Sequence, residues 1–324
     1  MLVRHDPEWW TVTDTILTIK LMSYLGLAQS QQDMEKFLIQ AIHDGVPADR
    51  LARLTAPHLD GLNDVVADLI TRLQYVQPLL PESVRFLGVA PTLKASNNWA
   101  VAGSRTVSGT PLQCDDPHLE CNRLPAIWYE AVMHTADNYR IGATMPGIPG
   151  LVMGRTRDLS FGFTYGFMDM VDYFIEDCRD GSCRSGDNWE PLNIRTESVL
   201  RKGGQPIEIT IRESSLGVLE TDARDPELAD GLYLSRAWSA QRTGGAASLD
   251  ALAQMPSATT VSDAQTIVRE VTISCNWLLA DRQGDIGYQQ SGLMPDRRHS
   301  GLHPVPAWDE EWRWRGFVPP DQLH

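Results

Sequence analysis

Apolar residues in the first ninety positions recur at the i, i+3, i+4, i+7 spacing of an amphipathic helix. The spacing is clearest over residues 34–42 and 62–73, where apolar side chains return to one face. Residues 80–94 show no strong period, contain prolines and a glycine, and lead into Ser-Asn-Asn-Trp at 96–99. The pattern therefore predicts a helical layer that ends before residue 96.

After residue 96 the pattern changes to short β-branched and aromatic runs separated by Gly, Pro, Asn and Asp, which is typical of strands and hairpins. Ile207, Ile209 and Ile211 alternate with polar residues and predict a strand with one buried face. Residues 271–280, followed by Arg-Gln-Gly-Asp and Ile-Gly-Tyr, predict a hairpin that carries Asn276 on its first strand.

A further helix is expected between these strands, from an N-cap at Ser262 through Val268. The chain is therefore expected to be of the α+β class, with a helical part at 1–95 and a mainly β part at 96–324.

Composition excludes several classes of protein. The 324 residues are 42% hydrophobic with a formal charge of −14, which suits a globular chain and opposes the basic surface that nucleic acids require. No run of about 18 apolar residues is present, so we expect no membrane-spanning helix. The first residues lack the basic start and apolar stretch of a secretory signal.

Five cysteines leave two questions open. Cys178 and Cys183 flank the turn-like Arg-Asp-Gly-Ser, so they could close a short disulfide or stay as two half-buried thiols. Cys114, His118 and Cys121 lie within eight residues and suggest a zinc site, although structural zinc sites favour more closely spaced cysteine pairs.

Five segments carry the candidate chemistry, and their order is more informative than any one of them. Ser-Asn-Asn-Trp taken alone is more typical of a turn than of an active site. The segments are Ser-Asn-Asn-Trp-Ala-Val-Ala-Gly-Ser-Arg-Thr at 96–106, Asp-Pro-His-Leu at 116–119, Pro-Gly-Ile-Pro-Gly-Leu-Val-Met-Gly at 146–154, Phe-Gly-Phe-Thr at 161–164, and Cys-Asn-Trp-Leu-Leu-Ala-Asp with Asp-Ile-Gly-Tyr at 275–288.

Together these segments resemble the penicillin acylase family of N-terminal nucleophile (Ntn) hydrolases, over roughly Trp9 to Pro320. The resemblance implies a four-layer αββα sandwich. It also implies that 1–95 is the C-terminal part of a helical α chain with a short link to the cleavage site, and that 96–324 is the N-terminal part of the catalytic β chain.

The resemblance further implies self-cleavage between Ala95 and Ser96, with the two chains staying associated. Ser96 would then use its own free α-amino group, a type of group with a pKa of about 8, to activate its hydroxyl for attack on a linear amide of a small N-acyl compound. This chemistry needs no cofactor.

Four further residues match catalytic positions of the family. Asn276, through its side-chain amide, and Tyr165, through its backbone N–H, match the two oxyanion donors. His118 lies where penicillin G acylases carry glutamine and where cephalosporin and acyl-homoserine-lactone acylases carry histidine, and it would orient Ser96. Arg297 would lower the pKa of the Ser96 amine, unless the match slips by one residue. Without the resemblance, Asn276 would be interpreted as a strand-edge polar residue and His118 as part of a turn.

A structural calcium site is also implied, with Asp169, the Val171 carbonyl and Asp172 as ligands, because this ion prefers hard oxygen donors. Asp33 or Glu35 would supply an upstream carboxylate. The alternative is that the two downstream acids are solvated on a loop.

The acyl pocket of the family maps to four apolar residues, and Gly26 falls where penicillin G enzymes have a bulky aromatic side chain. An apolar acyl group is therefore implied, while its length and the leaving amine stay open. The matching lining residues are Met22, Leu119, Val152 and Met153.

Family members carry more sequence before Trp9 and several hundred more residues after Pro320. A second hypothesis is therefore a truncated, inactive acylase-like chain that binds an acyl ligand or a missing partner segment. A third is a calcium-stabilised, β-rich interaction protein. Export to the periplasm or out of the cell is implied by the resemblance alone.

Overall fold

The structure, a computed structural model, describes residues 9–24, 28–55, 59, 61–77, 96–119, 127–136 and 138–323. Gly26, Ala95, Cys121 and the predicted boundary segment at 80–94 lie outside these residues. The helices of the described part are α1 (Val12–Ser23), α2 (Gln29–His43), α3 (Ala48–Thr55), α4 (Asp64–Thr71), α5 (Gly245–Gln254) and α6 (Val261–Val268). The first four confirm the predicted helical layer in the described residues before 96.

Helix α6 ends at Val268 as predicted but begins earlier than predicted. Its N-cap is Thr260, whose hydroxyl accepts from the Asp263 N–H while the Asp263 carboxylate accepts from the Thr260 N–H. The predicted cap at Ser262 is wrong, because only a cap three residues before Asp263 can form this reciprocal capping box.

The strands are mostly antiparallel. Their bounds are β1 (Asn97–Val101), β2 (Leu112–Asp116), β3 (Tyr129–His134), β4 (Tyr139–Thr144), β5 (Met153–Arg155), β6 (Leu159–Tyr165), β7 (Val171–Arg179), β8 (Ser182–Ser185), β9 (Asn188–Pro191), β10 (Asn193–Val199), β11 (Ile207–Glu213), β12 (Val218–Glu220), β13 (Gly231–Trp238), β14 (Cys275–Asp281), β15 (Ile286–Ser291) and β16 (Val305–Pro306).

These strands form two large sheets and one hairpin in the described residues. The first sheet has the order β10-β11-β12-β13-β7-β8-β9, with β16 added in parallel to β7, and the second has the order β15-β14-β6-β5-β4-β3. Strands β1 and β2 pair with each other. The α+β prediction is confirmed, and so is the hairpin of β14 and β15, although its first strand begins at Cys275 rather than 271.

The predicted strand at 207–211 exists, but its isoleucine face is only half buried. Its neighbour β10 is exposed at all seven positions, so nothing in the described residues covers that end of the sheet. The fully buried side chain of β11 is Arg212, whose guanidinium donates to Thr221 Oγ1 and to the carbonyl oxygens of Asp225 and Glu227.

Each large sheet packs against helices. Trp277 and Leu279 of the second sheet are buried against α6, and α1 and α5 complete that core. Tyr173 and Ile175 of β7 are buried against α2 and α4. Burying one such side chain stabilises the fold by roughly 1.5–3 kcal/mol. None of the described helices has the length and apolar character needed to span a membrane.

Two features of the first sheet follow from its register. Cys178 and Cys183 face each other across β7 and β8 and form a disulfide, which decides between the two alternatives left open by the sequence. Lys36 of α2 reaches the buried Glu220 of β12 at 2.9 Å, beside Glu35, whose carboxylate accepts from the Tyr173 N–H at 3.2 Å.

Candidate active site

Ser96 lies directly before β1, and the end of β2 returns beside it. The antiparallel register places Asn97 opposite Asp116, so the chain that leaves β2 passes Ser96 at His118. The His118 backbone N–H donates to Ser96 Oγ at 3.0 Å. The hairpin thus brings together two residues that are 22 positions apart.

The imidazole of His118 faces two polar side chains. Its Nε2 lies 3.0 Å from Asp116 Oδ2 and 3.3 Å from Asn97 Nδ2. Asp116 Oδ2 can only accept and favours the tautomer with the proton on Nε2, whereas Asn97 Nδ2 can only donate and favours Nε2 as an acceptor. The two contacts compete, and the shorter one, to the charged Asp116, favours the proton on Nε2 and leaves Nδ1 as an acceptor. Sequence reasoning missed Asp116 and Asn97, although the strand register would have indicated both.

Ser96 lines an apolar cavity of about 380 Å³. His118 and Tyr165 line the same cavity, as do three of the four predicted acyl-pocket residues: Met22, Leu119 and Val152. Further apolar lining residues that sequence reasoning missed are Ile19, Ile148, Phe163, Leu252, Cys275 and Trp277. Strand alternation on β6 and β14 could have indicated Phe163, Cys275 and Trp277, and helical spacing on α1 could have indicated Ile19.

Met153 does not line this cavity. It faces a second cavity together with Gln113, Asp115 and Arg155. Val152 immediately precedes β5 and Met153 is its first residue, and the two side chains line different cavities. In the second cavity, burial raises the pKa of Asp115 to about 6.

Tyr165 and Asn276, the predicted oxyanion donors, are neighbours across β6 and β14. Asn276 Nδ2 donates to the Tyr165 carbonyl oxygen at 3.2 Å and to Thr164 Oγ1 at 3.3 Å. Asn276 Oδ1 accepts from the Tyr288 hydroxyl at 2.7 Å. Tyr288 therefore fixes which end of the amide faces Tyr165, a role that the sequence did not indicate.

The loop at 166–170 follows Tyr165 and is held from two sides. Gln31 of α2 donates through Nε2 to the Phe167 carbonyl oxygen at 2.6 Å and accepts through Oε1 from the Met170 N–H at 3.2 Å. The Met168 N–H donates to Ser274 Oγ at 2.9 Å. Phe167 has a φ of 50°, an uncommon value for a bulky residue that the surrounding contacts must maintain.

Arg297 lies in an acidic cluster at the end of this loop and does not line the Ser96 cavity. Its guanidinium forms ion pairs with Asp169 and with Asp172, the latter at 3.3 Å. The Arg297 side chain is 6% exposed. Its predicted effect on the Ser96 amine stays a prediction.

The predicted calcium ligands lie in the same cluster. Burial raises the pKa of Asp169 to about 8 and of Asp172 to about 6, and it raises the pKa of Glu35 well above its ordinary value, while Arg297 opposes all three shifts. Glu35, rather than Asp33, is therefore the upstream acid of this cluster.

The side chains as arranged do not fit a calcium ion. Within the described ranges, no three His, Cys, Asp or Glu side chains converge as metal ligands. Asp172 Oδ2 already accepts from Trp314 Nε1 at 2.5 Å, and among the described residues Asp172 Oδ1 and Glu35 Oε2 are buried carboxylate oxygens of this cluster without a hydrogen-bond partner. The zinc alternative depends on Cys121, outside the described residues.

The structure is similar to a solved thermostable penicillin G acylase from Alcaligenes faecalis, with a TM-score of 0.62 and 22% identity over 71% of this chain and 41% of that one. The Ntn-hydrolase fold is thereby confirmed.

The chain belongs to the penicillin amidase family, whose sequence model matches residues 1–324. It is 29% identical to an acyl-homoserine lactone acylase, QuiP, from Pseudomonas aeruginosa over 98% of its length and 39% of that protein. It is 33% identical to the penicillin acylase 2 proenzyme of a Pseudomonas species over 70% of its length and 29% of that protein. The chain thus spans well under half the length of these relatives.

Proposed function

We propose that the chain is the nucleophile-bearing part of a self-processing amidohydrolase that cleaves the linear amide bond of an N-acyl compound. The observation that carries this proposal is the position of Ser96, on the wall of an apolar cavity with His118 beside its hydroxyl. A hydroxyl at the edge of an apolar pocket suits an acyl group that is buried while its carbonyl carbon is attacked.

Cleavage between Ala95 and Ser96 would free the amine that activates Ser96. The amine accepts the Oγ proton through a bridging water while Oγ attacks the carbonyl carbon. The C–N bond then breaks and the leaving amine takes the proton. Water hydrolyses the resulting ester, which releases the acyl group as a carboxylic acid and restores Ser96.

The negative oxygen formed in both steps requires donors. The Asn276 side-chain amide and the Tyr165 backbone N–H lie on adjacent strands and would serve together. Since Asn276 Nδ2 donates to Thr164 and to the Tyr165 carbonyl in the uncut chain, one of these bonds would be exchanged for the substrate oxygen.

The cavity and the names of the relatives support the proposed substrate class. The names of the relatives are those of acyl-homoserine lactone and penicillin acylases, all enzymes that remove an acyl group from an amine. A cavity lined by Met22, Leu119, Val152 and Trp277 supports an apolar acyl group for this chain as well.

Two consecutive residues of α2 support continued association of the chains after cleavage. Glu35 and Lys36 are buried and bind Tyr173 N and Glu220, respectively, both downstream of Ser96. Separation of the two chains would break both contacts and expose to water the apolar core that α2 and α4 share with β7, which is unfavourable.

A second candidate is an inactive acylase-like chain that binds a partner segment. It is favoured by apolar side chains exposed near β10, where Ile194 is 52%, Val199 46% and Leu200 82% exposed. Exposed apolar side chains along an edge strand are typical of a surface that another segment covers.

The first experiment is intact-mass measurement and N-terminal sequencing of the wild type, Ser96→Ala and Ser104→Ala. Ser104 is an exposed serine eight residues along the same segment and serves as the control. Two fragments in the wild type and Ser104→Ala, one beginning Ser-Asn-Asn-Trp, with Ser96→Ala whole, would support the proposal. A wild type that stays whole would favour the second candidate.

A further inference from the structure

Arg297 occupies the centre of the acidic cluster that the family resemblance assigns to calcium. One guanidinium nitrogen pairs with Asp169 Oδ2, and the other lies 3.3 Å from Asp172 Oδ2 and 3.2 Å from the Asp169 carbonyl oxygen. Asp172 lies on β7 and Asp169 lies in the loop directly before it.

Gly301 makes this position accessible to the guanidinium. A Cβ at residue 301 would overlap both Arg297 Nη2 and Asp169 Oδ2, and the φ of +80° at Gly301 also favours glycine. A side chain at residue 301 would therefore disturb the ion pair between Arg297 and Asp169.

The neighbouring basic groups are committed elsewhere or lie too far away. Lys36, next to Glu35 on α2, pairs with Glu220. His299 Nε2 lies 3.9 Å from Asp172 Oδ2, beyond hydrogen-bond distance. Arg297 thus supplies the positive charge that contacts Asp169 and Asp172.

A calcium ion in the same place would lack ligands. Calcium takes about six to eight oxygens, whereas in the part of the chain that the structure describes no three carboxylate side chains converge as metal ligands. A second cation would also be repelled by the guanidinium, which stays charged at any ordinary pH.

The ion pair also fixes a loop that matters for the proposed active site. Asp169 lies in the loop at 166–170, which begins directly after Tyr165. Arg297 binds both the side chain and the carbonyl oxygen of Asp169 and so restrains the loop near its end. Gln31 and Ser274 restrain the same loop earlier, at Phe167 and Met168.

We propose that the Arg297 guanidinium replaces the calcium ion that the family resemblance implies for this cluster. Arg297 then holds the loop at 166–170 in place through its contacts with Asp169 and Asp172. Arg297 acts on the active site as a positioning residue. The proposal goes beyond amide hydrolysis and is tested without it.

The test compares metal content, thermal unfolding and amide hydrogen exchange in the wild type, Arg297→Met and Arg298→Met. Arg298 is the matched control, since it is adjacent in sequence but 54% exposed and paired with Glu311 at the surface. We expect wild-type protein to contain no stoichiometric metal, and its midpoint of unfolding to be the same in excess EGTA and in millimolar calcium.

Arg297→Met should lower the midpoint by roughly 5–10 °C, because it leaves Asp172 buried without its counter-ion. Arg298→Met should change it little. Adding Asp169→Asn to Arg297→Met should recover part of the loss, since the second change removes one of the unpaired charges.

If Arg297→Met does not fold, Arg297→Lys serves instead, because it keeps the charge but cannot contact Asp169 and Asp172 through two separate guanidinium nitrogens. Arg297→Lys should raise the rate of amide hydrogen exchange in the loop at 166–170. One equivalent of calcium in the wild type, with a lower midpoint in EGTA, would overturn the proposal. So would equal midpoints for Arg297→Met and Arg298→Met. These readouts stand whether or not the chain hydrolyses an amide.

Discussion

Tyr288 provides the sharpest test of how the proposed oxyanion site is built. Its hydroxyl donates to Asn276 Oδ1 at 2.7 Å, and this bond leaves the Asn276 N–H groups directed toward Tyr165. Tyr288→Phe removes the hydroxyl and keeps the ring. The variant therefore loosens the orientation of Asn276 without removing the predicted donor.

The expected magnitude follows from the type of contact. Tyr288 is 44% exposed, so its hydrogen bond is worth about 0.5–1.5 kcal/mol. With about 1.4 kcal/mol for each tenfold change in rate, kcat should fall roughly two- to tenfold. Asn276→Ala removes a donor outright and should lower kcat by about 10²–10³.

The assay measures kcat and KM on a chromogenic acyl amide, per mole of cleaved chain, so that a processing defect is not counted as a catalytic one. Tyr129→Phe is the control, because Tyr129 is an exposed tyrosine of β3. In the Asn276→Ala background, Tyr288→Phe should have almost no further effect, since both changes act through one amide. Fully additive losses, or a loss in Tyr288→Phe as large as in Asn276→Ala, would refute an orienting role.

Three further predictions concern stability and the surroundings of Ser96. The pKa of Asp115 is raised to about 6 from an ordinary value near 3.8, so the folded protein binds more protons than the unfolded protein between about pH 4 and 6, and its free energy of unfolding falls as pH rises through this window. Asp115→Asn should remove this fall and raise the free energy of unfolding at pH 7 by about 1–2 kcal/mol after allowance for partial exposure. Urea unfolding of both proteins from pH 4 to 8 would measure this, and parallel plots of unfolding free energy against pH would contradict it. Replacing Cys178 and Cys183 by serine should cost about 2 kcal/mol, the loop-closure value for so short a loop, in denaturant unfolding compared with the wild type, and no loss would count against the disulfide. Asp116→Asn should shift the tautomer ratio of His118, measured by ¹⁵N NMR, and lower hydrolysis severalfold, whereas an unchanged ratio would show that Asp116 does not orient the ring.

Local patterns predicted the helices and the central hairpin because their signals lie within a few residues. The helical spacing of 34–42 and 62–73 appears in α2 and α4, and the turn after residue 280 lies between β14 and β15. The predicted burial of the isoleucine face at 207–211 was wrong, because burial depends on which other segments cover β10 and β11. The alternation of residues within one strand cannot show this.

In the candidate site, too, local motifs predicted individual residues but not the contacts that depend on tertiary structure. The motifs predicted Ser96 and His118, which the structure brings within one hydrogen bond of each other. The partners of Arg297 could not be predicted, because Asp169 lies 128 positions away and the ion pair depends on how the loop meets residues 297–301. Tyr288 and its contact with Asn276 required the register of a hairpin that sequence only outlines.

The two hydrogen bonds from Gln31 to the loop after Tyr165 have a consequence for how activity would depend on concentration. If the bond before Ser96 is cut as proposed, Gln31 and that loop would belong to different polypeptides, and the shape of the loop would become subject to mass action. Dilution would then lower the activity. A competing copy of the upstream segment with Gln31 replaced would inhibit the enzyme without contacting Ser96.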